Sequence, residues 1–188
     1  MIESIWRPSP QRIEASNMQR FLLRNRKKLQ SEDYPGLYEW SIDEPEEFWA
    51  AAWDFFGIRS MSDFSNVLDD RHRIPGARWF EGATLNFADN LLRPEYDGVA
   101  LIAYSETGRR LEMTWDELRR QVASVAEALR FAGVDREDRV AALLPNCPEA
   151  IVAMLATASI GAIWSSCSPD FGIDSVLARF NQIEPKVL

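Results

Sequence analysis

Apolar stretches of strand length alternate with amphipathic helices and short turns between Thr114 and Leu188 of this 188-residue chain. Arg139–Leu144 is a continuous apolar run that begins with a charge and is followed by a proline. That pattern is typical of a strand buried on both faces of a parallel sheet. Together with the flanking helices it predicts a series of βαβ units, the start of a doubly wound α/β sheet.

The helix before this strand has clear signals at both ends. Thr114 and Glu117 have the spacing of a capping box, in which side chains bind the free N–H groups of the first turn. Gly133 supplies the end of the helix. Apolar side chains recur between them at three- and four-residue steps, and we expect this stripe to face the sheet: Trp115, Leu118, Val122, Val125, Ala126 and Leu129.

The helix after the strand, Glu149–Ile160, is apolar on nearly every side. Pro148 fits its first position, where a missing N–H costs nothing. The helix is shorter than the ~20 residues that a membrane span requires, so we expect a protein layer to cover its outer side as well. The sequence then predicts a short strand at Ala162–Ser165 and a polar loop at Ser166–Gly172.

A third helix carries Val176, Leu177, Phe180 and Ile183 at helical spacing and ends at Glu184. Lys186–Leu188 is typical of a strand that is just beginning. A sheet that ended there would leave the newest helices without the partners that their composition requires. We therefore expect the chain to be the front part of a longer protein, with a sheet cut within a strand.

Residues 1–97 predict a helical, aromatic-rich extension, and residues 98–188 the first part of the α/β domain. Met18, Phe21, Leu22 and Leu29 predict one face of a docked helix, with a transit peptide as the alternative.

Residues 34–40 predict a turn with aromatic anchors. A helix from Pro45 to Gly57, a short helix at 86–92 and a hairpin of 98–104 with 110–113 follow. For the Pro45 helix, aromatic spacing predicts a buried face of Phe48, Trp49, Ala52, Trp53 and Phe56.

The charge distribution excludes a nucleic-acid ligand. Residues 1–30 carry seven Lys and Arg against two Glu, whereas residues 31–70 carry eleven acidic side chains against Arg59 alone. With a net charge of −8, the chain has no overall attraction for a polyanion. It also has no secretory signal, so we expect a cytoplasmic protein without a membrane partner.

Metal and nucleophile chemistry find little support in the sequence. Cys147 and Cys167 lack metal-ligand spacing, fall in predicted loops after strands and are expected to be reduced thiols. His72 is the only histidine, which excludes a His-based metal site. Phosphate-binding loops of the Gly-x-x-x-x-Gly-Lys and Gly-x-Gly-x-x-Gly types and the Gly-x-Ser-x-Gly elbow are also missing. The sequence therefore predicts no catalytic residue and no metal site in this chain.

A general rule of open parallel sheets still indicates where a ligand would bind. Ligands lie beyond the carboxyl ends of the strands, and two predicted loops occur there, Pro145–Pro148 and Ser165–Gly172. The second loop offers hydroxyls, backbone N–H groups and an aromatic face beside a helix. Such a loop suits a ligand that bears phosphate, although exposed loops are also polar for no functional reason.

Four motifs of the α/β region resemble the N-terminal part of adenylate-forming acyl-CoA synthetases. They are residues 113–118 (MTWDEL), 133–140 (GVDREDRV), 144–150 (LPNCPEA) and 158–172 (ASIGAIWSSCSPDFG). Aromatic segments 38–40 (YEW), 48–49 (FW) and 79–88 (WFEGATLNFA) are similar to the extension of the acetyl- and acetoacetyl-CoA synthetase branch. Within that branch, 164–172 and 182–188 look most like the members that use acetoacetate.

The resemblance implies an enzyme that joins acetoacetate to ATP, releases diphosphate and passes the acyl group from acetoacetyl-AMP to the thiol of CoA. Mg²⁺ is implied with the ATP. In such enzymes the phosphate loop, the adenine segment and a mobile C-terminal domain with a catalytic Lys lie further along the chain. The implied partners of this chain are therefore acetoacetate, the remainder of the AMP-binding domain and that C-terminal domain. This chain alone is expected to be inactive and to bind no cofactor tightly.

The resemblance also implies a CoA contact at Ser168, Pro169, Asp170 and Phe171. The matching loop of acetyl-CoA synthetases reads Phe-Gly-Gly-Phe-Ser and borders the nucleotide end of CoA, and only its second Phe is kept here, as Phe171. Two alternatives stay open: a ligase for acetate, propionate or another short acid, and a stand-alone interaction module without catalysis.

Overall fold

A computed structural model describes residues 5–188, and the chain divides into two compact units between Thr84 and Leu85. The first unit contains these elements in order: α1 Pro10–Glu14, α2 Asn17–Asn25, a 3₁₀ turn Arg26–Lys28, α3 Tyr34–Asp43, α4 Pro45–Phe56, β1 Asn66–Leu68 and β2 Trp79–Glu81. The second unit contains α5 Phe87–Leu91, β3 Val99–Tyr104, β4 Arg110–Thr114, α6 Trp115–Phe131, β5 Arg139–Leu143, α7 Pro148–Ser159, β6 Ile163–Cys167 and α8 Ile173–Ile183.

An aromatic cluster forms the core of the first unit. The buried ring of Phe21 in α2 lies 6.2 Å from the ring of Trp40, 5.6 Å from that of Phe48 and 5.1 Å from that of Phe55. Edge-to-face and offset ring pairs of this kind add to the stabilisation from apolar burial. The docked α2 predicted from the sequence is therefore present, although Met18 on the same helix is exposed.

The prediction of a turn at residues 34–40 was wrong, because this segment lies in helix α3. Asp33 caps the helix: its carboxylate accepts the N–H of Gly36 at 3.1 Å. The hydroxyl of Ser31 and that N–H lower the pKa of Asp33, so the cap carries its charge at neutral pH. Pro35 occupies the first turn, where a helix tolerates it.

The buried face of α4 also differs from the prediction. Ala52 is buried and Phe48 and Phe55 pack against the core, whereas Trp49 and Phe56 are exposed. The observed stripe is formed by Phe48, Ala52 and Phe55. It is rotated around the helix axis from the predicted stripe by roughly the angle between two successive residues. Gly57 ends the helix as predicted, in the left-handed conformation with φ 58°.

Strands β1 and β2 were not predicted. They pair antiparallel, with Leu68 opposite Trp79. Directly beyond this pair, the Asp69 carboxylate accepts the backbone N–H of Arg78 at 2.8 Å and its guanidinium at 3.0 Å, and Arg73 contributes a further ion pair at 3.0 Å. The Arg78 hydrogen bonds are the main reason that the pKa of Asp69 falls from 3.8 to about 2.

This carboxylate makes the stability of the first unit depend on pH. Because the pKa is lower in the folded state, the contribution of Asp69 is complete above the ordinary value of 3.8 and is lost as the pH falls towards 2. In Asp69→Asn, the free energy of unfolding is therefore expected to fall less between pH 3.8 and about 2 than it does in the wild type. Urea midpoints measured along this pH range check it, with exposed Asp63→Asn as the matched control. An equal fall of the urea midpoint with pH in the wild type and in Asp69→Asn would contradict the expectation.

The second unit contains the predicted α/β arrangement. Strands β5 and β6 pair in parallel, with Val140 opposite Trp164 and Leu143 opposite Cys167. On the other side of β5, Val187 forms a parallel bridge to Val140. Strands β3 and β4 form the predicted antiparallel hairpin. The α/β fold class is therefore confirmed.

Helix α6 confirms the predicted capping box. The N–H of Glu117 donates to the Thr114 hydroxyl at 3.2 Å, and the Thr114 N–H donates back to the Glu117 carboxylate at 2.8 Å. The N–H and hydroxyl of Thr114 hold the pKa of Glu117 below its usual value. The apolar stripe of α6 packs with α7 in the main core, which includes Leu118, Val122, Ala126, Leu129, Val134, Val140, Val152, Leu155 and Ala156.

Helix α7 is packed by more than one neighbour, as its composition predicted. Helices α6 and α5 and strand β6 all contact it. Asn86 links two of these helices: its side-chain oxygen accepts the N–H groups of Ala88 and Asp89, and its amide donates to the carbonyls of Ala158 and Ser159. The first contact caps α5 and the second binds the last turn of α7.

Strand β6 extends further than predicted. Ser166 and Cys167, which were predicted to lie in the loop, belong to the strand, and the loop is confined to residues 168–172. The strand continues because its hydrogen-bond partner β5 continues, and the N–H of Leu144 still donates to the Cys167 carbonyl at 3.2 Å. Cys167 is consequently a buried strand residue. None of the helices within residues 5–188 has the length and apolar content of a membrane span.

Candidate functional site

A cleft of about 670 Å³ opens in the second unit, beside the carboxyl ends of β5 and β6. Three segments line it: the turn between β3 and β4, the loop after β5 with the start of α7, and the loop after β6. The lining residues are Ala103, Tyr104, Ser105, Glu106, Arg109, Leu111, Pro145, Asn146, Cys147, Pro148, Glu149, Ser168, Pro169 and Asp170.

The position of the cleft follows from the sheet. Because β5 and β6 are parallel and in register to Leu143 and Cys167, the loops that follow them leave the sheet at the same edge. That edge is where open α/β sheets bind ligands. Both loops that the sequence analysis identified therefore contribute to one cleft. The sequence analysis did not predict that the β3–β4 turn lines the cleft, because the sequence of a hairpin does not determine which other segments its turn contacts.

Local hydrogen bonds hold the loop after β6. The Ser168 hydroxyl donates to the Asp170 carboxylate at 2.8 Å, and the Asp170 N–H lies 3.3 Å from the same hydroxyl oxygen. The Phe171 N–H donates to the Ser168 carbonyl at 3.1 Å, which closes a turn. The loop therefore has a defined shape at the rim of the cleft.

The four candidate CoA-contact residues do not share one environment. Ser168, Pro169 and Asp170 line the cleft, whereas Phe171 lies outside its lining with 45% of its surface exposed. The guanidinium carbon of Arg179 on α8 lies 4.9 Å from the centre of the Phe171 ring. Arg179 was not singled out from the sequence, because its contact with Phe171 depends on how α8 is oriented relative to the loop before it.

The side chains lining the cleft carry more negative than positive charge. Glu106, Glu149 and Asp170 supply three carboxylates, and Arg109 supplies one guanidinium. The backbone N–H of Glu149 and the thiol of Cys147 hold the pKa of Glu149 below its usual value, so this carboxylate is ionised at neutral pH. A neutral polar group suits such a cleft better than a phosphate does.

Side chains of the types that ligate metals do not form a cluster in the part of the chain that the structure describes. Within residues 5–188 no three His, Cys, Asp or Glu side chains converge as ligands.

Comparison with known proteins agrees with this geometry. Residues 88–188 match the family described as AMP-binding enzyme, and residues 34–91 match the acetyl-coenzyme A synthetase N-terminus. The chain belongs to the AMP-binding enzyme family. The cleft and both of its strand-end loops lie within the residues that match this family.

Several individual relatives match along nearly the whole chain. The acetoacetyl-coenzyme A synthetase of Rhizobium meliloti (strain 1021) is 45% identical over 185 residues, which is 97% of this chain. The acetoacetyl-CoA synthetase of Xenopus tropicalis is 43% identical over 187 residues, or 98% of this chain. The solved structure of the acetoacetyl-CoA synthetase from Streptomyces lividans superposes with a TM-score of 0.89 over 98% of this chain, at 45% identity.

These relatives are much longer than the chain. The matched segment covers 28% of each of the two curated relatives and 29% of the solved structure. In these AMP-binding enzymes, the region described here is therefore one part of a larger protein. The resemblance to the acetoacetyl-CoA synthetase branch that the sequence motifs indicated is confirmed.

Proposed function

We propose that this chain is the N-terminal segment of an ATP-dependent acetoacetate–CoA ligase. The observation that carries the proposal is the match to acetoacetyl-CoA synthetases over 97–98% of the chain, together with the TM-score of 0.89 to one of them. Residues 1–97 would form its N-terminal extension and residues 98–188 the beginning of its AMP-binding domain. Its proposed location is the cytoplasm.

The proposed reaction has two steps. A carboxylate oxygen of acetoacetate attacks the α-phosphate of ATP, which forms acetoacetyl-AMP and releases diphosphate. The CoA thiol then attacks the acyl carbon and loses its proton, which forms the thioester and releases AMP. ATP, CoA and Mg²⁺ are thus the proposed cofactors, and the remainder of the AMP-binding domain and a mobile C-terminal domain are the proposed partners.

This chain contributes no catalytic residue to that scheme. Mg²⁺ is expected to bind together with the phosphates of ATP, in the parts of the ligase that hold those phosphates. What the chain offers is binding surface, namely the cleft and its rim. The 188-residue chain alone is therefore expected to catalyse neither step.

A CoA contact is proposed at Ser168, Pro169, Asp170 and Phe171. The open cleft lined by the first three, and the exposed ring of Phe171 beside it, support this assignment. CoA supplies the thiol that accepts the acyl group. The negative lining favours the neutral amide arm of CoA inside the cleft, and the charged nucleotide end outside it at Phe171.

Assay of the complete protein that contains this chain tests the proposal. With ATP, Mg²⁺ and CoA, acetoacetate should yield AMP, diphosphate and a thioester. With ATP, Mg²⁺ and acetoacetate but without CoA, the protein should exchange labelled diphosphate into ATP. The 188-residue chain should show neither activity. A complete protein of about the relatives' length that fails both assays would contradict the ligase assignment and favour a non-catalytic interaction module.

A second candidate function is that of a CoA ligase whose substrate is an acid other than acetoacetate. The malonamoyl-CoA synthetase vrtB of Penicillium aethiopicum is 39% identical over 195 residues and covers 99% of this chain. Enzymes named for different acids thus share this segment, which argues that acid selection resides elsewhere. Parallel assays with acetoacetate, acetate and propionate decide between the candidates: a thioester formed from acetate but not from acetoacetate would reject the preferred acid.

A further inference from the structure

The ring of Phe171 is contacted by a charged side chain of helix α8. Its ring is exposed, and the only ring contact described for it within residues 5–188 is with Arg179, whose guanidinium carbon lies 4.9 Å from the ring centre. A cation at this distance over an aromatic face is attracted by the ring quadrupole. Arg179 therefore favours one orientation of a ring that is nearly half exposed.

The position of Arg179 is itself defined by helix α8. Its guanidinium donates to the carbonyl of Ser175, one turn earlier, at 2.9 Å. Long side chains on a helix point back towards its N-terminus, which directs this guanidinium to the loop that carries Phe171. Arg179 is also the only basic residue of α8. The contact with Phe171 thus arises from the geometry of the helix and does not require a ligand.

Charge distinguishes this rim from the cleft. The cleft lining holds three carboxylates and one guanidinium, which disfavours the phosphates of a nucleotide. Arg179 places a positive charge against Phe171, outside that lining. Of these two adjoining surfaces, the Phe171 rim is therefore the better one for a negatively charged ligand with a flat base.

We propose that Arg179 is a positioning residue for the CoA step: it holds the Phe171 ring in the orientation that receives the nucleotide end of CoA. This inference rests on the proposed function and on the CoA contact at residues 168–171. Arg179 acts through Phe171, and its removal should weaken CoA binding without affecting the adenylation step, which takes place before CoA is used.

Titration calorimetry of CoA into the complete protein preloaded with AMP tests the proposal. Arg179→Met keeps the length of the side chain and removes its charge, and it is expected to raise the Kd for CoA about two- to five-fold, the range for one exposed cation–ring contact. Arg179→Lys, which keeps a cation, should restore part of the affinity. Arg130→Met, an exposed arginine on α6 without a described ring contact, is the matched control and should leave Kd unchanged.

The double variant separates positioning from a direct charge effect. If Arg179 acts mainly through the ring, Arg179→Met should raise Kd much less in a Phe171→Ala background than in the wild type. An equal effect in both backgrounds, or none in the wild type, would overturn the inference. Diphosphate exchange must stay at the wild-type rate throughout. A wild-type protein that exchanges diphosphate but binds no CoA would instead overturn the proposed function, and this inference with it.

Discussion

Replacement of Asn86 by alanine is expected to lower the free energy of unfolding of the second unit by about 2 kcal/mol. The substitution removes the N-cap of α5, which contributes about 1 kcal/mol. It also removes the amide that donates to Ala158 at 2.8 Å and to Ser159 at 3.3 Å, hydrogen bonds whose net contribution is again about 1 kcal/mol. Urea denaturation followed by circular dichroism measures the change.

A second variant separates the two contributions. Asn86→Ser keeps an oxygen that can accept the N–H groups of Ala88 and Asp89, but serine is too short and has no amide to reach the end of α7. We expect it to lose about 1 kcal/mol, half the effect of alanine. Hydrogen exchange at the Ala88 and Asp89 amides should accelerate in the alanine variant and stay slow in the serine variant. An alanine variant within 0.5 kcal/mol of wild type would contradict the account.

Elements with local signals were the ones that sequence predicted well. The capping box of Thr114 and Glu117 and the glycine after α4 satisfy backbone groups within one turn of the chain, so neighbouring residues suffice to identify them. The parallel order of β5 and β6 followed from alternation of strand and helix along the chain. The position of the candidate cleft then followed from topology alone, since parallel strands end at one edge.

Errors occurred where tertiary contacts decided between local alternatives. Proline and glycine at 35 and 36 predict a turn, yet Asp33 caps a helix there, and Leu37 and Trp40 of that helix are buried in the core. On α4, Trp49 and Phe55 are equally apolar, and only packing against Phe21 decides which of them lies in the core. The β1–β2 pair is too short for periodicity, and its Asp69–Arg78 interaction joins residues nine apart in sequence.

At the candidate site, too, the residues of one loop were predicted from the sequence, whereas contacts between separate elements were not. Ser168, Pro169 and Asp170 were identified from the sequence, and all three line the cleft. Neither the contact of Arg179 with Phe171 nor the wall formed by Glu106 and Arg109 could be identified, because each depends on how separate elements are oriented. The role of the loop in CoA binding stays a prediction, and it depends most directly on the aromatic side chain.

Phe171→Ala is expected to raise the Kd of the complete protein for CoA about tenfold. Loss of one aromatic platform for a base costs about 1–3 kcal/mol, and 1.4 kcal/mol corresponds to a factor of ten. The exposed position of Phe171 implies little change in folding stability. Diphosphate exchange should keep its wild-type rate, because CoA takes no part in adenylation. The KM for CoA in thioester formation should rise together with Kd.

Phe131→Ala provides the matched control for this experiment. Phe131 is a phenylalanine of the same unit with 95% of its surface exposed, and it lies outside the cleft lining. Its removal takes away a comparable apolar surface and should leave CoA affinity unchanged. An equal loss in both variants would indicate a general effect of surface truncation. Wild-type CoA affinity in the Phe171→Ala variant would contradict a role of Phe171 in CoA binding. It would not contradict the ligase assignment, because adenylation requires neither Phe171 nor Phe131.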